Sequence, residues 1–125
     1  MRRERKKIFC LLSITIGLLL YPIAANADTY AFNVTTPASE YSYSVKKTNS
    51  EQKFYVRGVS FSKSGKLYCR SESCANRNVY GQTAISAENP VSSGEYVNYA
   101  APNGLYRLSF YSSVSGLQVV GYYTP

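Results

Sequence analysis

Apolar and aromatic residues recur at every second position along much of this chain, and that period constrains the fold more than any other feature. Tyr30-Ala-Phe-Asn-Val34 and Tyr41-Ser-Tyr-Ser-Val45 each alternate large apolar or aromatic residues with small or polar ones. Successive side chains of an extended strand point to opposite sides, so each segment reads as a strand with one buried and one wet face. Phe54-Val56 and Val59-Phe61 continue the pattern with the phase slipped by one residue, and Gly58 at the slip predicts a β-bulge. Further strands are predicted over 67–70, 79–87, 95–100, 105–113 and 117–123. Between these segments fall Ser64-Gly65, Asn89-Pro90, Ser93-Gly94, Pro102-Asn103-Gly104 and Ser115-Gly116, which tolerate positive φ or preset a turn. Val114 to Leu117 reads as a tight hairpin joining the last two strands.

No segment after residue 27 keeps a helical period. The chain is therefore predicted to be all-β: a small antiparallel β-sandwich of about eight short strands, formed by one domain over 28–125. A small closed β-barrel is the alternative, disfavoured because the strands are short and unequal. Tyr30 or Phe32, Tyr43, Phe54, Leu108 and Phe110 are the predicted core. Tyr122 and Tyr123, being adjacent in a strand, must face opposite sides.

The first 27 residues follow a different plan. Five Lys/Arg precede an apolar run from Ile8 to Leu20, and Pro22 then leads to Ala25-Asn26-Ala27. This is the layout of a cleaved secretory signal peptide, with cleavage between Ala27 and Asp28 and Cys10 lost with the leader. The apolar run is shorter than the roughly 20 residues that span a bilayer, and no later segment approaches that length. The processed protein is expected to be secreted, extracellular or loosely attached to the cell surface, with no transmembrane segment.

Removing the leader removes much of the positive charge: residues 28–125 hold nine Lys/Arg against six Asp/Glu. That modest excess, on an exported chain without a recognition motif, argues against nucleic acid as a partner. The absence of histidine excludes Ser-His-Asp and Cys-His catalysis and His-containing zinc sites, and two remaining cysteines cannot form a four-thiolate site. The carboxylates fall in predicted loops or at strand ends, the usual place of a solvated charge. No enzymatic activity, metal or cofactor is expected.

Cys69 and Cys74 are an even pair in an exported chain, which predicts a structural disulfide closing a short loop. A redox-active pair would ordinarily have two intervening residues, and four intervene here. Tyrosine is abundant, 13 residues in all with Tyr21 in the leader. Its ring packs in a core while its hydroxyl stays wet or bonded, so it serves both small sandwich interiors and recognition surfaces. Charge concentrates in residues 46–77, where Lys46, Lys47, Lys53, Arg57, Lys63, Lys66, Arg70 and Arg77 stand against Glu51 and Glu72. This set is the candidate anion-binding surface, for an anionic cell-wall polymer, a membrane surface or an extracellular protein. The bland reading of the same charges is a solvated face that guards exposed strand edges.

Asp28-Thr-Tyr-Ala-Phe-Asn-Val34, Lys47-Thr48-Asn49 and the closing Ser115-Gly-Leu-Gln-Val-Val-Gly-Tyr-Tyr-Thr-Pro125 together resemble a family of small exported proteins of unknown function from Gram-positive bacteria. The resemblance implies export and a β-rich fold, and carries no functional residues. In size, leader and Tyr/Ser/Gly content the chain is also similar to lactococcin-type bacteriocins, which implies a toxin acting on competing cells as the alternative function. The leading expectation is a non-enzymatic exported β-sandwich binding a component of the cell envelope or an extracellular partner. A third expectation is an inhibitor of a secreted enzyme, presenting the Cys69 to Cys74 loop.

Overall fold

A computed structural model describes residues 29–37 and 44–125. The readings made on the leader, on the Ala27/Asp28 cleavage site and on Tyr43 lie outside the described residues. Eight strands are present among the described residues: β1 (Tyr30–Thr35), β2 (Val45–Lys46), β3 (Lys53–Phe61), β4 (Leu67–Ser73), β5 (Tyr80–Ile85), β6 (Val91–Glu95), β7 (Leu105–Tyr111) and β8 (Gln118–Thr124). They form two four-stranded antiparallel sheets, in the orders β1-β8-β3-β6 and β2-β7-β4-β5. There is no helix among the described residues, and the sheets do not close into a barrel. The expected β-sandwich is the observed architecture.

Alternation decides what each strand buries. The first sheet sends Phe32, Val34, Phe54, Val56, Val119 and Tyr123 inward, and the second sends Val45, Leu67, Cys69, Ile85, Tyr106, Leu108 and Phe110. Phe32 meets Phe110 across the interior with ring centroids 4.9 Å apart, and Phe54 packs on Tyr96 at 5.8 Å and Tyr123 at 6.2 Å. Tyrosines enter this core because their hydroxyls find partners there: the Ser71 hydroxyl bonds both Tyr96 at 2.8 Å and Tyr123 at 2.6 Å. Tyr123 is fully buried whereas its neighbour Tyr122 is only half-buried on the other face, as their adjacency requires.

The bulge expected at Gly58 is present. Gly58 pairs with Gly121 and Ser60 with Val120, so Val59 is the extra residue and stands exposed. The two sheets come together along β5 and β6. A Cβ added at Gly81 would lie 2.6 Å from the Glu95 carbonyl oxygen, and one at Gly94 would lie 2.5 Å from that of Gln82. Glycine permits this approach, and the Thr83 and Ser92 hydroxyls bond each other beside it.

Three expectations are corrected. The strand predicted over 95–100 lies instead at Val91–Glu95. Ser93-Gly94, read as a turn, is strand backbone whose glycine serves the close seam. The segment after Glu95 is a loop, held by Gln52, which accepts from the Ala100 amide at 2.7 Å and donates to the Ala100 carbonyl at 3.0 Å. The hairpin predicted at 114–117 is a crossover, because β7 and β8 belong to opposite sheets. Thr36 anchors that crossover: its amide donates to the Leu117 carbonyl at 2.9 Å and its carbonyl accepts from the Gly116 amide at 2.8 Å.

Candidate functional site

The outward face of the second sheet brings charged and exposed aromatic side chains side by side. Cross-strand register sorts it into rows. Tyr68 on β4 lies opposite Tyr111 on β7 and Ala84 on β5; Arg70 lies opposite Ser109 and Gln82; Glu72 lies opposite Arg107 and Tyr80. Tyr68 and Tyr111 are 46% and 62% exposed, with ring centroids 6.0 Å apart and planes inclined by 34°. They border a depression of about 320 Å³, also lined by Arg70, Gln82, Thr83 and Ser109.

Arg70 is held from two sides. Its guanidinium carbon lies 3.9 Å from the centroid of the Tyr80 ring, and its Nε–H donates to Glu72 Oε1 at 3.2 Å. Glu72 is almost fully buried on this outward face, because arginines cover it: Arg107 donates to Oε2 from Nη2 at 3.0 Å and from Nε at 3.3 Å, and Arg77 Nε stands 4.0 Å away. Burial alone would raise the carboxyl pKa, but hydrogen bonds from Arg107 and Arg70 outweigh it and hold the group below its ordinary value. Glu72 therefore neutralises one of three arginines and fixes the geometry of Arg70 and Arg107 by hydrogen bonds, while Arg77 stays largely exposed. One third of the Arg70 side chain remains exposed.

The basic set expected from sequence is divided among different surroundings. Lys46 pairs with Leu105 at the β2 edge of the second sheet, and Arg70 and Arg77 meet at Glu72. Lys53 and Arg57 share the outward face of the first sheet, on the opposite side of the molecule, with Glu95 directly across from Lys53. Lys63 donates to the Ser115 carbonyl at 3.3 Å, and Lys66 is exposed beside the start of β4. Lys47 is withdrawn from any surface. It is fully buried, its ammonium donating to Asn49 at 2.8 Å and to the Pro125 main-chain oxygen at 3.3 Å, and lying 5.3 Å from the Tyr96 ring centroid. Burial pushes its pKa down to about 8, against the opposing pull of Glu51. Lys47 is corrected from an anion ligand to an interior tie.

Cys69 and Cys74 are also corrected: both are free thiols. Strand β4 runs through both Cys69 and Ser73 instead of ending in a loop. A separation of five residues along nearly extended chain is on the order of 15 Å and directs the two side chains to opposite faces, whereas a disulfide needs Cα atoms within about 7 Å. Cys69 faces the core, where burial pushes its thiol pKa up to about 12, and Cys74 lies 3.5 Å from the Ser44 hydroxyl. The Cys69 to Cys74 segment is thus no disulfide-closed loop.

Arg107, Tyr80, Gln82, Ser109 and Tyr111 were absent from the expected set. The signal for some of them was present: with Leu108 and Phe110 in the core, Arg107, Ser109 and Tyr111 must share the opposite face. Their register against β4 was not legible.

Among the described residues, no three His, Cys, Asp or Glu side chains are grouped to hold a metal ion, and no helix is long and apolar enough to cross a membrane. The arrangement offers exposed aromatic rings, a positioned guanidinium and neutral hydrogen-bonding groups around one depression. Comparisons of the chain with protein-family models, with curated proteins and with solved structures return no match.

Proposed function

We propose that this protein is a non-enzymatic exported binding module, and that the outward face of its second sheet takes an anionic component of the cell envelope. The observation that carries this reading is Arg70, partly exposed in a depression bordered by the exposed rings of Tyr68 and Tyr111. Charge supports the choice of face. Among the described residues, Lys46, Arg70, Arg77 and Arg107 stand there against Glu72, whereas the outward face of the first sheet has Lys53 and Arg57 against Glu95. A guanidinium already oriented by a carboxylate and an aromatic ring loses little freedom when it meets an anion.

The test is co-sedimentation of the purified protein with cell walls and with anionic vesicles across a salt series. Retention should fall as the Debye length shortens from about 10 Å at 0.1 M to about 3 Å at 1 M. A Lys46→Gln/Arg77→Gln variant, altering two exposed cations, should be retained less at low salt, while Lys53→Gln should bind like the parent. Equal retention of all three would remove this face from the proposal.

A further inference from the structure

We infer, resting on the reading just given, that the ligand unit of this depression is a sugar ring carrying an acidic group, with the ring against Tyr68 and Tyr111 and the acid at Arg70. Three observations lead there. The exposed surface beside the guanidinium is aromatic, with the two neighbouring rings of Tyr68 and Tyr111 6.0 Å apart and both open to solvent. Such a surface has no use for a linear polyphosphate, but it matches the apolar C–H face of a pyranose, whose hydroxyls project from its edge. Second, Gln82 and Ser109 flank Arg70 in the same cross-strand row, which places an amide and a hydroxyl beside the charge. Neutral donors and acceptors at that position suit hydroxyl groups surrounding one acid.

Third, the spacing fits. Tyr68 and Arg70 are two residues apart on one strand, about 7 Å, the length of one ring with its exocyclic acid. The depression of about 320 Å³ lies at the lower end of the range for small-ligand sites. Beyond Arg70, Arg107 is already engaged with the buried Glu72 carboxylate, so of these two arginines Arg70 alone lines the depression. The site therefore reads one acidic sugar unit of a glycan and not a continuous run of charge.

The experiment is a titration of the protein with polygalacturonate, a phosphomannan, dextran and inorganic polyphosphate at one low salt concentration, repeated with Tyr68→Ala, Tyr111→Ala and Tyr68→Phe. Both mutated side chains are exposed, so their removal spares the core. An acidic polysaccharide should bind most tightly, and the comparison of the first two probes tells carboxylate from phosphate as the acid. Each alanine variant should weaken that binding about tenfold, the scale of an aromatic anchor, and leave polyphosphate unaffected. Tyr68→Phe, which keeps the ring, should retain most of the affinity. Polyphosphate binding as tightly as either acidic glycan, with the tyrosine variants indifferent, would overturn the sugar assignment and leave anion binding standing. Dextran binding equally would overturn the role of the acid. Failure of every polyanion to bind would overturn the underlying function as well.

Discussion

Replacing Gly94 with alanine tests the close seam at which β6 packs against the backbone of β5 at Gln82. The new Cβ would lie 2.5 Å from the Gln82 carbonyl oxygen and 2.7 Å from Phe54 Cε1. Carbon atoms do not approach that closely, so the β5 backbone or the fully buried Phe54 ring must retreat. Neither is the free end of a flexible side chain. Overpacking of this kind costs about 1–3 kcal/mol, and an obstacle made of main chain places the change near about 3 kcal/mol. For a domain of this size that corresponds to a fall in Tm of roughly 12–24 °C. The control is Gly104→Ala, where a Cβ would meet nothing nearer than 3.5 Å and φ is not positive; it should match the parent or gain up to about 1 kcal/mol. Urea unfolding followed by far-UV circular dichroism measures both. A Gly94→Ala protein within about 0.5 kcal/mol of the parent would refute the seam as described.

Two further outcomes follow from the charges and thiols. Glu72→Gln should destabilise by roughly 2 kcal/mol at pH 7, less than the about 3–5 kcal/mol of a fully buried broken pair because Arg70 and Arg107 are each about one third exposed. Because the folded-state pKa of Glu72 lies below its ordinary 4.5, its contribution is present above that pH and lost as the pH falls through the folded value, so the variant should show a flatter acid limb in unfolding experiments. An unchanged acid limb would contradict the assignment. Cys74 should be alkylated without prior reduction and Cys69 only on unfolding, with no change of intact mass on reduction; a gain of two hydrogens would show a disulfide.

The architecture was legible because alternation is a local property. The inward set Phe32, Phe54, Leu108 and Phe110, the bulge at Gly58 and the opposed Tyr122 and Tyr123 all follow from counting by two. Lys47 was legible too: Val45 inward and Lys46 outward put Lys47 inward, and its charge obscured that inference. What alternation cannot tell is which strand lies beside which. Strands β7 and β8 are joined by a short link and have equivalent patterns, yet they lie in opposite sheets, and only the interior packing of both distinguishes crossover from hairpin. Gly94 misled because glycine serves turns and close approaches alike, and the second use depends on a partner distant in the fold. The candidate site was hidden for the same reason: Arg70 was visible, but the register that sets Tyr111, Ser109 and Arg107 against β4 spans more than 30 residues of chain.

Backbone amide shift mapping tests the central claim most directly, by asking which face of the sandwich meets an anionic ligand. On titration with polygalacturonate at low salt, the resonances that move should be those of Tyr68, Arg70, Gln82, Ser109 and Tyr111 on the second sheet, while Lys53, Tyr55 and Arg57 on the first stay in place. Shifts centred on Lys53, Tyr55 and Arg57, or no shifts at all, would contradict the account.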